Sequence, residues 1–196
     1  MVRLMTRSPR DLPRLEPSSR AEWRAWLEAN HDSTPGVLLA IGKKGRTRTT
    51  LTYEEAVEEA VRFNWIDSTT HPLDEDRYSQ LFTPRKSGST WSRSNRERIA
   101  RLETQGLLLP KTVAAIEAAK ADGSWSQLDD VDNLVVPDDL AAALAAEPGA
   151  SGNFERFSAS QRKLALYWID AAKRPETRAK RIEAAVRAAA ENKTLF

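Results

Sequence analysis

The stretch RYSQLFTPRKSGSTWSRSN, residues 77–95, decides how this chain folds. Its first half alternates, with Tyr78, Gln80 and Phe82 on one side of an extended chain and Ser79, Leu81 and Thr83 on the other. The spacing predicts a strand that ends at Thr83-Pro84. Beyond it Arg85, Lys86 and Arg93 join Ser87, Ser89, Ser92 and Asn95 around one large aromatic, Trp91. Donors and hydroxyls gathered about a tryptophan suit a surface that holds something polar or anionic. Upstream lies FNWIDS, residues 63–68, in which an acid, Asp67, directly follows Trp65-Ile66. Trp65 to Ser68 reads as a second strand and His71 to Asp76 as its turn. A hairpin is the simplest pairing of the two strands, and it brings Asp67 near Arg77 or Arg85.

Working outward, Ser19-Arg20-Ala21-Glu22 is a capping box that starts a helix, with Trp23, Trp26 and Leu27 on one face. Val37 to Ile41 is a continuous apolar run, a buried strand closed by the basic loop Gly42-Lys43-Lys44-Gly45. Thr52-Tyr53-Glu54-Glu55 opens a helix with Ala56, Val57, Ala60 and Val61 inward, and Asn64, tolerant of the left-handed conformation, stops it. After the signature stretch the chain reads as helix only. A helix capped by Ser94 carries Ile99 and Leu102, and another runs from Lys111 to Ala121. An acidic loop with Trp125 follows, then a helix begun by Pro137-Asp138-Asp139 and a linker from Pro148 to Gly152. Two more helices close the chain, with inward stripes at Leu164, Tyr167, Trp168 and Ala171 and at Ile182, Ala185, Val186 and Ala189.

The expected fold class is therefore α+β: a small antiparallel sheet with packed helices, followed by an all-helical C-terminal segment. The expected organisation is a flexible N-terminal arm over residues 1–16, an α+β domain over 17–125 and a helical segment over 126–196. A chain of 196 residues with 40% hydrophobic and 30% charged content can bury a core. It has no apolar run long enough for a membrane span and no secretory leader at its start, so the cytoplasm is the expected compartment. With no cysteine and two histidines, neither a thiolate nucleophile nor a zinc site is expected, and no carboxylate spacing reads as a calcium loop.

The formal charge of +2 hides strong segregation. Residues 77–101 carry seven Arg or Lys against Glu97 alone, 121–154 carry seven acids and no base, and 171–193 carry seven bases against three acids. Alternation of this kind steers an anionic partner to one face or lets one segment pack on another.

FNWIDS, FTPRKSGSTWSRSN, the ADGSW turn at 121–125 and AAKRPETRAKRI at 171–182 resemble the YdeI/OmpD-associated family, also labelled bacteriocin-protection proteins. The resemblance runs from about residue 17 to residue 193. The family has a glycine where this chain has Asn64, and both residues accept a positive φ. What the resemblance implies is a cytoplasmic bacterial protein linked to tolerance of antimicrobial peptides or other stress. It supplies no catalytic residue.

The expected site comprises Trp65, Asp67, Arg77, Arg85, Lys86, Ser89, Trp91, Ser92 and Asn95. Arg85 can fork onto a carboxylate or phosphate near a helix N-terminus, and tryptophans can stack on the apolar part of a ligand. The competing reading makes the serines caps and the arginines solvated, or paired with the acidic segment. Asp67 is an ion-pair partner of Arg77 or Arg85, or else a general base, which needs a second positioned proton carrier. His71 precedes a proline and suits an exposed turn better. The stretch lacks phosphate-loop spacing, and the near balance of charge speaks against nucleic acid. The expected function is a non-catalytic binding protein that holds a small molecule or peptide, without cofactor. An enzyme of hydrolytic or transfer type using Asp67 and a basic helical interaction module stay open as alternatives.

Overall fold

The structure, a computed structural model, describes residues 12–43, 45 and 51–195, and it divides into two compact units. The first comprises the chain to Ser89 together with Ser94–Trp125, and the second comprises Thr90–Arg93 and the chain from Ser126 onward.

The first unit holds a sheet that assembles, among the described residues, from β1 (Arg14–Leu15), β2 (Val37–Gly42), β3 (Trp65–Pro72) and β4 (Arg77–Pro84) in the order β1-β2-β4-β3. The hairpin expected between the two signature segments is present as the β3–β4 pair, with Trp65 opposite Pro84, Ile66 opposite Thr83 and Asp67 opposite Phe82. The apolar run β2 fills the centre, antiparallel to β4, and its first five residues are buried. Gly36, just ahead of β2, lies so close to β4 that a Cβ there would come within 3.0 Å of the Phe82 carbonyl oxygen.

Two sequence expectations need correction in this unit. Residues 1–16 read as a flexible arm, but Arg14 and Leu15 pair in parallel with Leu38 and Leu39, so the sheet is mixed rather than purely antiparallel. A two-residue strand leaves no periodic signal. It forms because the β2 edge offers unpaired backbone groups, and the Leu38 N–H donates to the Pro13 carbonyl at 2.9 Å. Residues 1–11 lie outside the described residues, as does Lys44 of the basic loop. The other correction is that β3 continues through His71 and Pro72, which shortens the turn to residues 73–76.

Helices α1 (Arg20–Asn30) and α2 (Tyr53–Arg62) start where their caps predict. Thr52 and Glu55 make the full reciprocal box. Ser19 makes only its half, because Glu22 turns back to the Ser18 backbone and hydroxyl at 2.7 Å. The α2 stripe Ala56, Val57, Ala60 and Val61 is buried, and Asn64 takes φ 59° after the last turn. Trp23 is fully buried. Its indole Nε1 donates to the Ala56 carbonyl at 3.0 Å, and its ring lies 5.4 Å from Trp26 and 5.6 Å from Phe82. One aromatic thus ties α1 to α2 and to the sheet. Helix α3 (Arg93–Thr104) buries Ile99 and Leu102 as read, but begins at Arg93, which puts the expected cap Ser94 inside its first turn. Helix α4 (Pro110–Asp122) ends on Gly123 at φ 82°.

The feature of α2 that the sequence reading missed is Glu59, whose side chain is 0% exposed. Arg20 Nε donates to it at 2.6 Å, Arg24 Nη2 at 2.7 Å and Arg62 Nη1 at 2.6 Å. Burial alone raises the carboxyl's pKa, but the hydrogen bonds from Arg24, Arg20 and Arg62 outweigh it and hold the group at about 2.

In the second unit α5 (Asp129–Asp132), α6 (Asp138–Ala146), α7 (Ala150–Arg156), α8 (Ala159–Asp170) and α9 (Pro175–Ala190) surround a core that includes Leu140, Leu144, Phe154, Leu166, Ile169 and Ile182. Here the expected linker at 148–152 is largely helix: Gly149 at φ 77° starts α7, whose Ala150 and Phe154 are buried. The expected stripe on α8 is out of phase. Ala165, Leu166 and Ile169 are buried, while Leu164 and Tyr167 are 47% and 46% exposed and Trp168 is half-buried. Both stripes have helical spacing, so the pattern alone does not choose between them. Helix α9 turns Ala185 and Ala189 inward, and small residues on both helices let the axes close.

Two outcomes follow for Glu59. Glu59→Ala strands three guanidiniums, and because these are partly exposed and can turn toward water the loss falls near the lower end for a broken buried pair, about 3 kcal/mol in urea denaturation. The folded pKa lies below the ordinary 4.5. The folded state therefore binds fewer protons than the unfolded one, and the stabilisation present above pH 4.5 is lost as pH falls toward about 2. Glu59→Gln should flatten the melting temperature across that acid window; an unchanged slope would show that other carboxylates set it.

Candidate functional site

The site is built where β3 meets β4. Asp67 sits opposite Phe82, and the register then shifts before Thr70 pairs with Gln80, so the strand bulges at Ser68 and Thr69. A bulge re-aims side chains and leaves backbone groups off the ladder. The freed Ser68 carbonyl is satisfied by Gln80 Nε2 at 2.8 Å, from a side chain that is itself buried. Just before the bulge, Asp67 Oδ2 accepts from the Tyr53 hydroxyl at 2.9 Å, at the first turn of α2. Asn64 at its positive φ turns the chain from α2 into β3, and its carbonyl accepts from the Arg85 N–H at 2.8 Å. The residue following β4 is thereby pinned beside the start of β3.

The Arg85 side chain is only 9% exposed. Burial pulls its pKa down to about 10, and the charge of Asp67 opposes that pull. Arg98, on α3, is the second buried guanidinium, at 8% exposure. It forks onto Glu54 at 2.9 and 2.5 Å, donates to Asn95 Oδ1 at 2.9 Å and lies 6.0 Å from the centre of the Tyr53 ring. Burial works against its charge, but Glu54, with Tyr53 and Asp67 behind it, raises its pKa. The Tyr53 hydroxyl is raised far above its ordinary range, by burial first and by Asp67 second, and Tyr78 is raised for the same two reasons. Asp67 thus accepts from Tyr53, its charge acts on Tyr78, Arg85 and Arg98, and Glu54 and Asn95 hold Arg98. Such a cluster can accept from a donor at Asp67 and donate to an anion or carbonyl from the guanidiniums. Beside it Trp23, Trp26, Trp65 and Phe82 form a largely buried aromatic cluster, a composition from which ligand clefts are built.

Of the residues expected from sequence, the fold brings Asp67, Arg85 and Asn95 into this cluster. Arg77 does not join it. Its neighbour Tyr78 faces the other side of the strand, and Arg77 itself pairs with Glu16 at 2.6 Å and Asp74 at 2.8 Å. Trp65 is core: it is 1% exposed, its Nε1 donates to the His31 carbonyl at 3.2 Å, and it meets Trp26 edge-on. Lys86 is exposed on the turn closed by the Ser89 N–H donating to its carbonyl at 3.2 Å. Trp91, 2% exposed, and half-buried Ser92 belong to the run grouped with the second unit, where the Arg93 N–H donates to Asp132 Oδ2 at 3.0 Å. The sequence reading missed Tyr53, Tyr78, Glu54 and Arg98. The signal for Arg98 was present, since it stands three residues beyond Asn95 on the same helix face. Among the described residues no group of three or more His, Cys, Asp or Glu is placed to hold a metal ion, and no helix is long and apolar enough to cross a membrane.

Residues 15–115, just over half of the chain, match the family described as a domain of unknown function, DUF8412. The chain belongs to this family. The DUF8412 segment contains Tyr53, Asp67, Tyr78, Arg85 and Arg98. Residues 133–192 match a different family, described as Bacteriocin-protection, YdeI or OmpD-Associated. The resemblance read along residues 17–193 is thus matched only in its C-terminal part, and the polar cluster lies in the DUF8412 part. No curated protein and no solved structure matches the chain.

If Asp67 holds the two tyrosines up, Asp67→Asn should lower the alkaline titration of both Tyr53 and Tyr78, read by NMR of ring-labelled protein. Movement of neither would remove Asp67 from the centre of the cluster.

Proposed function

We propose that this protein binds a small molecule or peptide through the Asp67–Arg85 cluster and does not turn it over, serving antimicrobial resistance or stress tolerance in the bacterial cytoplasm. The observation that carries the reading is Arg85, a guanidinium nine-tenths buried at the end of a strand, whose charge burial opposes and which Asp67 favours. Keeping a charge in such a place is costly, and perturbed ionisable groups concentrate where ligands are handled. The anionic or carbonyl part of the ligand would lie on Arg85, a donor on Asp67 and an apolar part on the Tyr53 and Tyr78 rings. The match of residues 133–192 to the bacteriocin-protection description supports the resistance side of the reading. The alternative of a separate helical interaction module is disfavoured, because α9 gives Ile182, Ala185 and Ala189 to the core of its own unit.

The test is native mass spectrometry of protein isolated from its own cells, with the variants prepared in the same way. A bound mass is expected on the wild type. A charge-assisted hydrogen bond is worth about 1.5–3 kcal/mol, so Arg85→Gln should weaken retention roughly tenfold or more. Because Arg85 is buried, Asp67→Asn at a half-exposed position serves as the second variant, with the melting temperature checking the fold in each. Equal retention in both folded variants would move the site elsewhere. Conversion of an excess of the recovered compound by catalytic amounts of protein would replace binding with catalysis.

A further inference from the structure

The second unit carries a groove that contains no residue of the Asp67 cluster. It runs between α6 and α9 and encloses about 920 Å³, over a floor that includes Ala143, Ala146, Ala179, Ile182, Val186 and Ala190. Four of these six are alanines, so the floor is apolar and low enough for another helix to approach closely. The α9 wall is 16 residues long, about 24 Å at helical rise, and the α6 wall is 9 residues long, about 14 Å, so both walls flank a seat of roughly two and a half turns. The rim carries more acids than bases. Of the seven acids in 121–154, Asp139 and Glu147 line the groove on the α6 side, where no base stands among the described residues. Around the groove stand Asp139, Glu147, Glu183 and Glu191 against Arg178 and Arg187. Arg178 is taken up by Asp139 at 2.6 and 2.9 Å, and Glu191 pairs with Lys193 at 2.8 Å. Among the described residues Glu147 and Glu183 make no ion pair, and both are exposed.

We propose that this groove takes a cationic amphipathic helix, apolar face on the alanine floor and lysine or arginine side chains toward Glu147 and Glu183. Helix-in-groove recognition needs an apolar channel a few turns long, and charge of opposite sign along the rim sets partner and orientation. Both are present here, and both lie within one unit. The proposal does not depend on the reading of the Asp67 cluster.

The test titrates the 196-residue chain into a fluorescein-labelled peptide of about 14 residues, an amphipathic Leu/Lys helix, and follows anisotropy at low ionic strength. Saturable binding is expected, weakening as salt is raised. Glu147→Lys combined with Glu183→Lys should weaken it roughly tenfold or more, since two attractive contacts become repulsive. Ala179→Trp, which fills the floor from an exposed position, should weaken it as well. Circular dichroism melts report whether each variant is folded. The same residues in scrambled order, with the same charge but no apolar face, should bind at least roughly tenfold less tightly. Absence of binding, equal affinity for the scrambled peptide, or equal affinity of the folded charge-reversed protein would each overturn the proposal. A dimer in sedimentation that Ala179→Trp disperses would also overturn it, by assigning the groove to a second copy of the chain.

Discussion

A single carboxylate, Glu59, conditions the whole first unit. It sits without solvent contact between α1 and α2, and an ionised acid there is tolerable only because three arginines reach it. The arrangement extends along the helix. Glu58 meets Arg20 at 3.1 Å and Arg101 at 3.0 Å, and Glu54 meets Arg98 and Arg101. The α2 helix therefore turns its apolar stripe to the sheet and its acids to bases on α1 and α3. Since β3 follows directly from α2 through Asn64, the position of Asp67 is inherited from this packing.

The polar cluster uses the same chemistry with a different balance. Around Glu59 the bases outnumber the acid, every bond is short, and the outcome is a clamp. Around Asp67 the aspartate accepts from a tyrosine, while one buried guanidinium has its pKa lowered and another has its pKa raised by a second acid. Similar components thus give one locked assembly and one in which charge is held against burial. That contrast is the physical reason for which we propose binding at Asp67 rather than at the more heavily bridged Glu59.

The elements legible in the sequence were those with a strong local period or a cap. The β4 alternation, the apolar β2 run, the Thr52 box and the positive φ at Asn64 all reappear in the structure. What escaped depends on tertiary context. Strand β1 is too short to show a period, and α8 offers two apolar stripes between which only its neighbour decides. At the site, Asp67 and Arg85 stood out as unusual residues beside a strand pair. Glu54 and Glu59 looked like ordinary helix-surface charges, because nothing local distinguishes a solvated glutamate from one covered by arginines. Arg77 misled for the opposite reason: its partner in space is a local acid, Asp74, three residues back along the chain.

The acid seam of α2 also governs how the first unit meets heat. Charged groups lose favourable hydration as temperature rises, so the penalty for keeping them from water shrinks, while apolar burial stops gaining. The α1–α2–α3 contacts therefore keep their strength into a range where the aromatic contacts around Trp23 no longer improve. Thermal loosening of this unit is therefore expected to begin where the described residues form no such bridge, at the two-residue β1 edge and the bulge of β3. Asp67 stands just before that bulge, so on heating the strand that presents the polar cluster is expected to adjust before the helices that hold it in place.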